Sequence, residues 1–121
     1  MNRSEKLTIA VIAAIFFGLF GWPIIQQFHG MWAGRTAAEV DIAAGHLRLH
    51  DGGRTTPLKQ RYEQIAQERY GIEVINIGCS PNGFMSGYIV GYDGRVQVEL
   101  DRRFPGVTPE TLWQEAEKSL R

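Results

Sequence analysis

Leu7-Thr8-Ile9-Ala10-Val11-Ile12-Ala13-Ala14-Ile15-Phe16-Phe17-Gly18-Leu19-Phe20-Gly21-Trp22-Pro23-Ile24-Ile25-Gln26-Gln27-Phe28 carries no charged side chain, and the polar hexapeptide Met1-Asn2-Arg3-Ser4-Glu5-Lys6 precedes it. About twenty apolar residues, rising ~1.5 Å each, cover the roughly 30 Å hydrocarbon core of a bilayer, so residues 7–28 are predicted to form a transmembrane anchor. Leu7, Phe16, Phe17 and Phe20 supply its apolar surface, while Trp22 and Trp32 suit the interfacial belt. Unpaired backbone groups are costly in lipid, so the segment is expected to stay helical through Gly18 and Gly21 and to kink near Pro23.

A cleaved signal peptide needs small residues just after the apolar run, and Trp22-Pro23-Ile24-Ile25 stands there instead. The run therefore reads as a retained signal anchor. Arg3 and Lys6 precede it, and no lysine or arginine follows until Arg35, which favours residues 1–6 in the cytoplasm. The expected location is the inner membrane, single-pass, with the carboxy-terminal domain extracytoplasmic, in the periplasm of a Gram-negative cell.

Working outward, the 121 residues carry 13 basic and 13 acidic side chains, a net charge of zero. No electrostatic footprint for nucleic acid is present. The single cysteine, Cys79, excludes an internal disulfide and any site built on several thiolates.

Residues 29–55 read as a juxtamembrane stalk. Thr36-Ala37-Ala38-Glu39 has the form of a capping box, and Ala37, Val40, Ala44 and Leu47 continue as a narrow apolar seam, so a second helix is predicted from Thr36 to the break at Gly52-Gly53. Residues 56–121 then form a small domain. Thr56-Pro57 starts a helix that Gly71 stops, and Thr108-Pro109 starts a last one. Between them, Ile72 to Ile77 reads as a strand. Phe84 to Tyr92 and Arg95 to Leu100 read as two more, joined by an Asp93-Gly94 hairpin turn, because Val96, Val98 and Leu100 alternate with Arg95, Gln97 and Glu99. The predicted fold is α+β, with helix, three-stranded antiparallel meander and helix following the anchor and stalk.

Candidate chemistry is sparse. His46 and His50 stand four apart, a spacing that places two imidazoles on one helix face, with Asp51 adjacent; they are weak candidates and no metal is expected. Cys79, in a loop after a strand, is the residue an enzyme or redox sensor would use, but no base neighbours it in sequence. Gly78, Gly83, Gly87, Gly91 and Gly94 fit neither Walker nor dinucleotide spacing and read as turns and a bulged strand. Arg102 and Arg103 form a small basic patch. Phe84, Met85, Tyr88 and Tyr92 crowd one segment and suggest an apolar interaction surface. No cofactor is implied.

Asp41-Ile42 and Leu47-Arg48-Leu49-His50-Asp51-Gly52-Gly53-Arg54-Thr55-Thr56-Pro57 resemble the end of the long helix and the following turn of type II secretion pseudopilins. That resemblance implies an amino-terminal apolar helix, a small sheet and a filament-subunit role. The chain departs from the family in that Glu5 precedes the apolar run and no basic leader ending in glycine is present. The function expected is a non-enzymatic, protein-binding or accessory subunit of a membrane assembly. Its partners would be the lipid bilayer and either another protein or a second copy of itself, and no nucleic acid is expected among them.

Overall fold

Helix α1 runs from Arg3–Ala43, 41 residues, in the computed structural model, which describes residues 1–78 and 82–121. Its start is a capping box: Glu5 N donates to Asn2 Oδ1 at 2.8 Å, and Asn2 N donates to Glu5 Oε2 at 2.8 Å. Its end is a Schellman turn. Gly45 takes a φ of +84°, Gly45 N donates to Ile42 O at 3.0 Å and His46 N to Asp41 O at 2.8 Å. Its most apolar 18-residue window has a mean hydropathy of 2.2, and none of that window is buried against the rest of the chain.

One turn is widened. Phe17–Gly21 is π-helical, and Trp22 N donates to Phe17 O, five residues back. Pro23 explains this, because its ring would collide with the Leu19 carbonyl of a regular turn and it has no N–H to donate. The sequence predicts a kink at Pro23, and the distortion is absorbed one turn before it.

No second helix starts at Thr36. The hydroxyl of Thr36 donates to Trp32 O at 3.0 Å in mid-helix, so the segment expected as a separate stalk helix continues the apolar helix without a joint. Five residues of that stalk are instead strand β1, Leu47–Asp51.

From β1 the chain enters α2, Pro57–Tyr70, then β2, Ile72–Asn76. Thr56 Oγ1 caps α2 by accepting from Lys59 N, and Gly71 leaves it with a φ of +66°. The strands pair in parallel, from Leu47 opposite Ile72 to Asp51 opposite Asn76. A parallel pair needs a crossover, and α2 provides it.

The predicted antiparallel meander does not form. Residues 84–100 lie in one helix, α3, Gly83–Arg103. The exposures show the period: Val96 and Leu100 are fully buried while Val98 is 62% exposed. Alternation would have put all three on one face, and a four-residue repeat separates them. Asp93-Gly94 sits within this helix instead of turning a hairpin. A final helix, α4, Pro109–Ser119, is capped by Thr108 as expected. Among the described residues the fold is thus four helices and a two-stranded parallel sheet.

Helices α1 and α3 run side by side and parallel, with no side chains between them at four positions. A Cβ on Gly30 would lie 2.1 Å from Phe84 O, and one on Gly34 2.0 Å from Tyr88 O. From the other helix, a Cβ on Gly87 would lie 2.1 Å from Gln27 O, and one on Gly91 2.0 Å from Met31 O. Only hydrogens fit there, so the backbones meet through Cα–H···O contacts. Beyond this seam, Leu47, Leu49, Ile72, Ala38, Val96 and Leu100 form one buried cluster with Ile65 of α2 and Leu112 of α4.

The seam makes opposite predictions for two glycines of α3. Gly91→Ala forces the helices apart and is expected to lower stability by about 1–3 kcal/mol or more, as overpacking does. Gly94→Ala, with nothing within 4 Å of its Cβ, is expected to raise helix stability by about 0.5–1 kcal/mol. Urea unfolding of both variants in detergent measures the pair.

Candidate functional site

The glycine seam ends where charge begins. Above it, side chains from α1, β1, β2 and α3 meet in a polar cluster. The Tyr92 hydroxyl donates to Asp41 Oδ2, linking α3 to α1. Arg48 of β1 reaches Asp41 at 3.5 Å and donates to Glu73 of β2 at 2.9 Å. His50 Nδ1 lies 2.7 Å from Asp93 Oδ1, and the backbone N–H of His50 donates to the same carboxylate at 3.2 Å. The His50 ring meets Tyr92 edge-on at 5.0 Å and Tyr88 at 6.3 Å. Burial, with Asp41 as acceptor, pushes the Tyr92 phenol far above its ordinary range.

A buried cation closes the loop after β1. Lys59, 2% exposed, donates to Gly52 O at 3.0 Å and lies 3.7 Å from Asp51 Oδ2. Burial and the nearby Asp51 push Tyr62 up to about 12. These are geometries that hold elements together. An imidazole oriented by a carboxylate is also the supporting half of an acid–base pair, but such a pair acts only with a substrate cavity beside it.

A groove of about 590 Å³ runs along the α1–α3 pair, lined by Arg35, Glu39, Val90, Gly94, Arg95 and Val98. Arg95 Nε is 3.6 Å from Glu39 Oε1, and its Nη1 is buried with no hydrogen-bond partner among the described residues. Val90 and Val98 stand 55% and 62% exposed at its edge.

The residues singled out from sequence fall into different places. His46 lies on the turn after α1 and His50 on β1, so the shared helix face that a two-imidazole site needs is not formed. No group of three or more metal-ligating side chains is found among the described residues. Cys79 lies outside the described residues. Leu7, Phe16, Phe17, Phe20, Trp22 and Trp32 are all exposed along α1, with Pro23 among them. Of the aromatic patch, Tyr92 is buried, Tyr88 and Phe84 are half-buried, and Met85 is exposed.

Arg102 and Arg103 both fold back onto Glu99, each with one contact of 2.7 Å. No local motif marks Asp41, Asp93, Arg48 or Lys59 as members of this cluster, nor Gly30 and Gly34 as members of the seam. The glycines carried a usable signal, since 30 and 34 on one side and 83, 87 and 91 on the other repeat every four residues.

Hydrogen bonds from Arg102 and then Arg103 hold the Glu99 carboxyl down to about 2. An unfolded glutamate titrates near ~4.3, so ionised Glu99 favours the folded state above that pH, and the contribution is lost as pH falls from about 4 towards 2. Both arginines are partly solvated, which reduces the effect through screening. Glu99→Gln is expected to flatten the acid limb of a plot of melting temperature against pH, leaving the neutral limb parallel to wild type. No known protein family, curated protein or solved structure matches the chain.

Proposed function

We propose that this chain is a single-pass inner-membrane protein whose extracytoplasmic domain acts as a non-enzymatic, protein-binding accessory subunit of a membrane assembly. Residues 7–28 are its anchor and residues 1–6 its cytoplasmic end. The observation that carries this reading is α1 itself: one helix has an unburied apolar half and a second half built into a folded domain. A soluble core helix would bury its apolar half.

The binding surface on this reading is the groove along α1 and α3. It sets exposed Val98 beside the Arg95–Glu39 ion pair. Both signs of charge line the groove, through Arg35, Arg95 and Glu39, which suits a polar-rimmed protein contact.

Two measurements test the reading. Alkaline phosphatase fused after Arg121 is expected to be active, and an inactive fusion of normal abundance would reverse the topology. In mild detergent, a co-purifying subunit or second copy is expected with wild type and lost with Val98→Asp; retention by the variant would remove the groove from the interface.

A further inference from the structure

The glycine contacts fix the height of α3 relative to the anchor. Gly83 stands opposite Pro23, Gly87 opposite Gln27 and Gly91 opposite Met31. The amino-terminal end of α3 therefore lies level with the end of the apolar run. Above Lys6 and below a shared level, neither helix carries a lysine, arginine, aspartate or glutamate. On α1 the first such residue after Lys6 is Arg35, and on α3 the first is Asp93. The two positions correspond, because Gly34 packs between Tyr88 and Tyr92.

The 28 residues from Leu7 to Gly34 are uncharged in this sense. At ~1.5 Å each they span about 42 Å, the thickness of a bilayer with both headgroup regions at about 40–45 Å. The hydrocarbon core takes about 30 Å of that and leaves about 6 Å, roughly four residues, for each headgroup layer, so the residues just before Gly34 fall in the outer headgroup layer together with the Tyr88 to Tyr92 turn of α3, while the start of α3, opposite Pro23, reaches below it.

We infer that the first half of α3, residues 83–92, is a second membrane-contacting element, seated beside α1 in the outer part of the bilayer, from the headgroup layer at Tyr92 down to the edge of the hydrocarbon at Gly83. The inference rests on reading residues 7–28 as the anchor. Met85 is 37% and Val90 55% exposed, and on the α1 side Phe28 and Trp32 are 65% and 68% exposed at the same heights. These side chains have the apolar and aromatic character that the headgroup–acyl boundary accepts.

At the helix start Asn82 Oδ1 accepts from Met85 N at 2.9 Å, which satisfies one of the orphan donors there. A protein partner at Met85 would not require both helices to lose their charges at one height, and a bilayer does.

Site-directed spin labelling of the full chain in lipid vesicles tests this. Single cysteines are introduced in a Cys79→Ala background as Phe16→Cys, Met85→Cys, Val90→Cys and Val98→Cys. Collision with oxygen, which partitions into lipid, is compared with collision with a water-soluble nickel chelate. The oxygen-to-nickel ratio is expected to be highest at 16, severalfold higher at 85 than at 98, and intermediate at 90. A ratio at 85 and 90 equal to that at 98, with 16 still oxygen-rich, overturns the seating of α3 alone. A nickel-rich label at 16 overturns the anchor reading and this inference with it. Met85 and Val90 are independent exposed positions, so the failure of one variant to fold leaves the other to decide.

Discussion

The contact on which the rest of this structure depends is the approach of two helix backbones through Gly30, Gly34, Gly87 and Gly91. Each of these glycines costs about 1 kcal/mol of helix propensity relative to alanine. What offsets that cost is close packing along parallel axes, in which no side chain loses rotamer freedom because none lies between. The carbonyls of Gln27, Met31, Phe84 and Tyr88 occupy the space where a Cβ would stand. Such a seam tolerates neither rotation nor sliding, so it fixes register as well as proximity. The domain is consequently held against the long helix as one body, and its height above the end of the apolar run is set by geometry.

Where the seam ends, polar contacts take over the same task. Tyr92 to Asp41 joins the two helices beyond the last glycine pair, and Arg48 connects that carboxylate to β2 through Glu73. His50 and Asp93 join β1 to α3 by both side chain and backbone. Partly buried charges of this kind contribute little net stability when every partner is present, yet removing one strands the others. Their effect is therefore on specificity: the small sheet can dock in one arrangement only.

Local signals in the sequence specified the elements whose ends are chemically marked. Thr56-Pro57 and Gly71 bracket α2, and Thr108-Pro109 opens α4, because an N-cap hydroxyl, a proline without N–H and a glycine at positive φ act within a few residues of themselves. The unburied apolar half of α1 was legible for a similar reason. Its continuation was not, since Thr36-Ala37-Ala38-Glu39 has the residues of a capping box and only the absence of a break before it shows otherwise. Helix α3 reads as strand from its sequence because its glycines and β-branched residues have low helix propensity, and the partner that compensates them lies some sixty positions earlier in the chain. The site followed the same division. Tyr92 and His50 stood out as residue types, whereas their partners Asp41 and Asp93 are meaningful only through contacts 51 and 43 positions apart.

The two short strands gain their meaning from the seam. A chain that turned directly from α1 into its partner helix would make an antiparallel pair. Here the glycine register demands a parallel one, so the chain must first travel back along α1 before α3 can start. Strand β1 makes part of that return: it begins just beyond the Schellman turn, and by His50 it is beside Tyr88 and Asp93, at the level of Gly34. Strand β2 repeats the path in the same direction, because the pairing is parallel, and delivers the chain to Asn82 at the base. A two-stranded sheet is marginal alone. In this molecule it is stabilised by the helices whose parallel course it makes possible, and the parallel course is what sets the start of α3 beside the end of the apolar span.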